Sequence, residues 1–229
     1  MRFAVRTLGL CCLLVLMARA QNDSEGLDRV LGQMDVAAKN FRTTEAGVEW
    51  DQYQKVIDDT DIQKGKIYFR REGPETQVAV DFTEPDKKYV LYSAGKVQVY
   101  QPKIDQVNEY SAGKNRADIE GFLVLGFGGS GHELLKSYDV KFLGAERVDG
   151  TPCSKLELVP KSERLRNNIA RILLWIDPAR GISVRQQMFE PGGDYRLAKY
   201  TNIQTNQKLP DGVFKLKTTA KTRFISPQG

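Results

Sequence analysis

The sequence predicts a mainly β protein built as an antiparallel meander, with one amphipathic helix before it and a short helical insertion midway. Three observations carry this. A single long apolar stripe at helical spacing lies near the N-terminus, over Leu27 to Phe41. Beyond Arg42 the apolar rhythm changes to two, in runs set roughly 8–12 residues apart with short turns between them, as in hairpins rather than βαβ units. No linker or low-complexity tract divides the chain, so one domain is expected over residues 21–229.

Residues 1–20 are expected to be a cleaved secretory signal. Arg2 and Arg6 make a basic start, Leu8 to Met17 an apolar run, and Ala18-Arg19-Ala20 a small-residue cleavage pattern. The apolar run is about half the roughly 20 residues a spanning helix needs. Leu10 stands before Cys11, so lipidation of Cys11 or Cys12 is not expected. The expected compartment is the periplasm, and Cys153 is then the only mature thiol, a small packed hydrophobe. In the helix, Leu27, Val30, Leu31, Met34, Ala38 and Phe41 fall on one face, with Asp23 or Ser24 placed to cap it.

Strand-like alternation follows at Val48 and Trp50, at Ile67, Phe69 and Arg71, and at Val78, Val80 and Phe82. Turn chemistry separates these runs: Asp58-Asp59-Thr60-Asp61, Glu72-Gly73-Pro74, Glu84-Pro85-Asp86 and Ala94-Gly95-Lys96. In the second half Tyr138, Val140 and Phe142 alternate before the hairpin signal Asp149-Gly150. Leu156 and Leu158, Ile172 to Ile176, Ile182 and Val184, Tyr195 and Leu197, and a last run of Val213, Phe214 and Leu216 complete the set. Between the halves, Asp118 is placed to cap a short helix through Ile119, Phe122, Leu123 and Leu125. Gly126 to Gly131 then form a hinge, and His132 to Tyr138 a second helical turn. Such an insertion, apolar in its centre and rich in glycine at its end, is expected to act as a lid.

Composition narrows the function. The 229 residues are 41% hydrophobic and 28% charged, as in an ordinary globular protein. Loss of Arg2, Arg6 and Arg19 with the signal lowers the formal net charge of +5 by three, leaving no footprint for nucleic acid. Gly126 to Gly131 match G-x-G-x-x-G, but a dinucleotide site needs a long following helix and a parallel strand, so no cofactor is expected. His132 is the only histidine, which leaves no two-histidine zinc site and no catalytic triad, so a metal site and an enzyme are not expected. Lys161, Arg164, Arg166 and Arg171 read as a solvated basic face. Arg71 is different: by alternation it shares a face with Ile67 and Phe69, where its guanidinium is expected to donate to a carbonyl or carboxylate of something bound inside, unless the strand ends at Phe69 and Arg71 lies in the turn.

Taken in order, these residues resemble the LolA-type periplasmic carriers of outer-membrane lipoproteins. The likeness runs from the Leu27–Phe41 helix through Gly65-Lys66-Ile67-Tyr68-Phe69-Arg70-Arg71, Ser93-Ala94-Gly95-Lys96 and Tyr100-Gln101-Pro102 to Leu174-Trp175-Ile176-Asp177-Pro178 and Pro210-Asp211-Gly212-Val213-Phe214. The resemblance implies an incomplete, unclosed antiparallel β-barrel, strongly curved, with helices over its open face and acyl chains held between. It places the family's inward arginine, which anchors the closed lid, at Arg71. It also implies an inner-membrane lipoprotein-releasing transporter and an outer-membrane acceptor as partners, with acylated lipoproteins or other lipids as cargo. Val48, Trp50, Ile67, Phe69, Val78, Val80 and Phe82, with Arg71, would form the cavity. Leu27, Leu31, Met34, Phe122, Leu123 and Leu125 would form the lid. Barrels of this shape also act as envelope sensors that bind a regulatory protein, which is the alternative function.

Overall fold

The computed structural model describes residues 24–73, 75–111, 113 and 125–226. Helix α1 covers residues 24–40. Six strands follow: β1 (Thr43–Gln54), β2 (Asp59–Glu72), β3 (Glu75–Glu84), β4 (Lys88–Ser93), β5 (Lys96–Gln101) and β6 (Gln106–Ser111). After helix α2 (Gly131–Ser137) come β7 (Tyr138–Val148), β8 (Thr151–Pro160), β9 (Arg171–Asp177), β10 (Ile182–Phe189), β11 (Tyr195–Thr205) and β12 (Arg223–Ile225). They form one 12-stranded sheet in the order β12-β6-β5-β4-β3-β2-β1-β11-β10-β9-β8-β7. Each half is a meander, and β1 joins them by pairing with β11 from Thr44↔Thr205 to Tyr53↔Tyr195. All pairings are antiparallel except β12 with β6. The sheet does not close, because β7 and β12 stand at its two ends.

Local chemistry sets the bends. Asp149 and Gly150 take φ of +47° and +82°, the paired left-handed geometry of a two-residue hairpin, which a β-branched residue disfavours. At Gly65 the β2–β3 register slips, and a Cβ there would lie 2.0 Å from the Asp81 carbonyl oxygen. Glycine lets the two strands approach at this bulge, and a bulge bends and twists the sheet locally.

Two expectations need correction. The strand after the first hairpin begins at Asp59, not beyond Asp61, because the turn closes earlier, with the Asp58 N–H donating to the Lys55 carbonyl. The final run is not a strand: Asp211–Phe214 is a 3₁₀ turn led by Pro210, whose φ of −65° suits a helical start. Phe214 is buried there, with the Arg70 guanidinium 4.3 Å above its ring.

The apolar side of the sheet carries two large clusters. One joins α1 and α2 to β8, β9 and β10 through Val30, Leu31, Met34, Leu134, Leu156, Leu158, Ile172 and Leu174. The other joins β1 to β4 through Val48, Ile67, Phe69, Val78, Phe82 and Tyr92, with Phe41 and Phe127.

Candidate functional site

The second cluster is not solid. Between β1, β2, β3 and β4 lies a cavity of about 300 Å³, the lower end of the range for small-molecule sites. Val48, Trp50, Ile67, Phe69, Val78, Val80 and Phe82 all line it. Strand alternation explains the convergence. Every second residue of each strand points the same way, and the curved sheet brings the three rows together. Val90, Met188 and Tyr200 complete the apolar wall from neighbouring strands, and Gln52, Gln63, Lys88 and Gln186 make the polar part.

Arg71 does not line this cavity. The strand continues past it, pairing Arg71 with Thr76, so the side chain leaves the sheet beyond the end of the apolar row. Its Nη2 donates 2.7 Å to the carbonyl oxygen of Gly128, and its guanidinium lies 5.4 Å from the Phe41 ring. Burial, and secondarily the charge of Arg42, lower the Arg71 pKa from the usual guanidinium value, yet the group stays cationic. Among the described residues no carboxylate lies within ion-pair distance of it, so a carbonyl is its partner.

That carbonyl belongs to the glycine-rich segment, which holds the feature sequence reasoning missed. Phe127 is fully buried in the cluster that surrounds the cavity, though it is not itself a wall residue. Its ring stacks on Phe69 at 4.7 Å between centroids and meets Tyr200 edge-on at 4.7 Å. The segment reaches both clusters, since Leu125 packs with α1 and β8–β10 while Phe127 enters the other. Glycine is required at its close approaches: a Cβ at Gly128 would lie 2.4 Å from the Phe41 ring. At Gly131 a Cβ would lie 2.3 Å from the Leu31 carbonyl oxygen. The G-x-G-x-x-G spacing thus serves packing against α1 and β10. The Ser183 N–H donates 2.7 Å to the Gly126 carbonyl, and the Gln186 amide donates to that of Leu125. Asp35 on α1 holds the other end, accepting from the Ser130 hydroxyl and the His132 backbone N–H and pairing with the His132 ring. Burial works to raise the Asp35 pKa, but the hydrogen bonds from Ser130 and His132 outweigh it and keep the carboxyl below its ordinary value.

The helical residues lie elsewhere than expected. Leu31 and Met34 are fully buried against β8–β10, with Leu27 packed at the edge of that cluster, and none of the three lines the cavity. An amphipathic stripe tells that a helix has a buried face; it does not tell which part of a sheet receives it. Phe122 and Leu123 lie outside the described residues. Cys153 is free and buried on the outer face, where burial pushes its thiol pKa up. The basic cluster is tied down locally, with Arg171 3.1 Å from Glu157 and Arg166 donating to the Pro160 and Lys161 carbonyls. Among the described residues no group of three or more metal-ligating side chains is placed to hold an ion.

The family model described as outer membrane lipoprotein carrier protein LolA matches residues 45–217, well over half of the chain. The chain belongs to the LolA family. No protein with a curated description matches it. Among solved structures, the LolA-family chain is similar to MucB, at 14% identity and a TM-score of 0.53 over 89% of this chain and 65% of that one. In the Pseudomonas aeruginosa MucA/MucB complex the figures are 15% and 0.50, over 84% and 61%. The chain therefore spans less than two thirds of MucB. An uncharacterized conserved protein from Thermus thermophilus matches at 12% identity and 0.53, over 89% of this chain and 98% of that one. At these identities the likeness is one of fold.

Proposed function

We propose that this LolA-family protein is a periplasmic carrier that binds acyl chains of lipoproteins or other lipids in the β1–β4 cavity and moves them between membranes. The unit would be residues 21–229, with residues 1–20 removed on export. A lipoprotein-releasing transporter of the inner membrane would load it and an outer-membrane acceptor would unload it. The observation that carries this reading is a cavity walled by apolar strand residues, two of which, Phe69 and Tyr200, are packed by Phe127 from a glycine-flanked segment.

The energies suit reversible transfer. Burying Phe127 stabilises the closed form by about 2–3 kcal/mol and its two ring contacts by roughly 0.5–1.5 kcal/mol each. An entering chain gains about 0.8 kcal/mol per buried methylene, so about five methylenes displace the plug. A longer chain then binds with only the surplus, which keeps release possible. Arg71 holds the closed form through Gly128, and the same guanidinium is free to meet a cargo carbonyl once the segment lifts. No bond is made or broken in this cycle.

The test is saturable binding of the fluorescent methyl ester of parinaric acid, a neutral acyl chain, to the mature protein. Trp50 serves as energy donor, since it lines the cavity while Trp175 packs in a separate cluster. Binding that Val80→Arg abolishes in a folded protein supports the carrier. Absence of binding by the unaltered protein overturns it and favours the alternative, an envelope sensor of the same fold that binds a regulatory protein.

A further inference from the structure

Lys88 is the charged side chain in the cavity wall, and its surroundings do not neutralise it. It sits at the start of β4, directly across from Phe82 of β3, with its Nζ 4.8 Å from the Phe82 ring centroid. Its hydrogen-bond partner is the Gln63 side-chain oxygen, and the amide nitrogen of the same Gln63 donates 2.7 Å to the Asp61 carboxylate, so the nearest acid is reached only through an uncharged amide. Among the described residues no carboxylate stands within ion-pair distance of it. Burial lowers its pKa from the ordinary lysine value, and the more distant Asp61 offsets only part of that. The partly buried ammonium thus has an amide and an aromatic face but no carboxylate in direct contact, and desolvation favours an anion that could approach it directly.

The neighbours agree with this. Gln52 and Gln63 line the cavity with Lys88, and the remaining polar wall residue, Gln186, is engaged with the Leu125 carbonyl. The other cation near the cavity, Arg71, lies eight residues along β2 from Gln63, about 26 Å at about 3.3 Å per residue. It is engaged with Gly128. The cavity wall is therefore polar about Lys88 and apolar along Val78, Val80 and Phe69.

We propose that the Lys88 end is a headgroup subsite and that the cargo is an acyl lipid with an anionic head, a carboxylate or a phosphate. The inference rests on the carrier reading and narrows it. Acyl chains on a lipoprotein are joined through neutral esters and amides, and would leave Lys88 uncompensated. A fatty acid or an acyl phosphate ester would place its anion on Nζ, accept from the Gln52 amide, and lay its chain along Val80, Val78 and Phe69.

The experiment compares parinaric acid with its methyl ester, which share the chain and differ in the charge. The acid is expected to bind at least tenfold more tightly than the ester. Lys88→Met is expected to abolish the preference, bringing the acid to the level of the ester measured in the same variant. Lys88→Arg is expected to restore the preference. Thermal unfolding of each variant checks that the sheet is intact. Competition with unlabelled lipids checks the charge and identifies the head: lysophosphatidic acid and palmitate should each displace the probe more strongly than monoacylglycerol, and the stronger of the two shows whether a phosphate or a carboxylate is preferred. Equal binding of acid and ester to the unaltered protein overturns the proposal, as does a preference that survives Lys88→Met or equal displacement by monoacylglycerol. Each of those results leaves the carrier reading standing. Failure of both acid and ester to bind overturns the carrier reading itself.

Discussion

Strands β8–β10 and strands β1–β4 both turn an apolar face inward, and they cover it differently. On β8–β10, Leu156, Leu158, Ile172, Leu174 and Ile176 are fully buried beneath Leu31 and Met34 of α1. On β1–β4 the equivalent rows enclose about 300 Å³ of space and meet two rings from outside the strands, Phe41 and Phe127. The helix that covers the first region is continuous, with an apolar stripe four turns long. The element covering the second hangs on Gly126 and Gly128, both with positive φ. On the proposed carrier function, the contrast would separate a region built for stability from one built to exchange its contents. A cavity is tolerated in the second because the first supplies the packing.

Substitutions should therefore act differently in the two regions. Leu174→Ala removes packing where nothing can replace it, and a loss of about 3–4 kcal/mol is expected in urea unfolding. Affinity of the folded fraction for the parinaric ester should not change. Phe127→Ala should cost about 2–3 kcal/mol of stability and yet strengthen ester binding, since the plug no longer competes. Loss of stability with no gain in affinity would make Phe127 ordinary core and erase the distinction. Arg71→Leu should cost about 1.5 kcal/mol, the value of a charged hydrogen bond. Stopped-flow transfer to acceptor vesicles should show a faster release, with equilibrium affinity moving less; an unchanged rate removes Arg71 from the mechanism.

The smallest effect is expected where the two covers meet, at Asp35. Its carboxyl pKa is lowered in the folded protein, so its contribution is full above the ordinary carboxylate value and is lost as pH falls through the depressed one. As a partly exposed pair it contributes less than about 1 kcal/mol. Asp35→Asn should lower stability slightly at neutral pH, and the difference from the unaltered protein should vanish in acid. A gap that persists below that range would locate the effect in packing.

Much of this was legible in the residues. Alternation at Val48/Trp50, Ile67/Phe69 and Val78/Val80/Phe82 puts seven side chains on one face, because a period of two admits no other arrangement once the strands exist. The arginine that ends the β2 row was legible for the same reason. The destination of α1 was not, since its stripe reports one buried face and two were available. Phe127 escaped because a glycine-rich segment has no periodicity; its signal was a lone aromatic between glycines. Lys88 escaped because it follows Glu84-Pro85-Asp86 and reads as part of the turn, whereas its pairing with Phe82 draws it over the cavity. Val213-Phe214 is too short for its rhythm to tell a strand from a 3₁₀ turn.

The pairing of β1 with β11 has a consequence for how the chain reaches its final form. Thr44 meets Thr205, so the strand at the centre of the sheet waits for a partner synthesised about 160 residues later. Closing so long a loop is slow relative to forming the hairpins on either side. Until β11 arrives, β1 keeps a bare hydrogen-bonding edge beside the greasy rows of β2 and β3, which is a template for self-association. Newly made molecules are thus most vulnerable just before completion, and a brief escort by other proteins would matter more for yield than any gain in final stability.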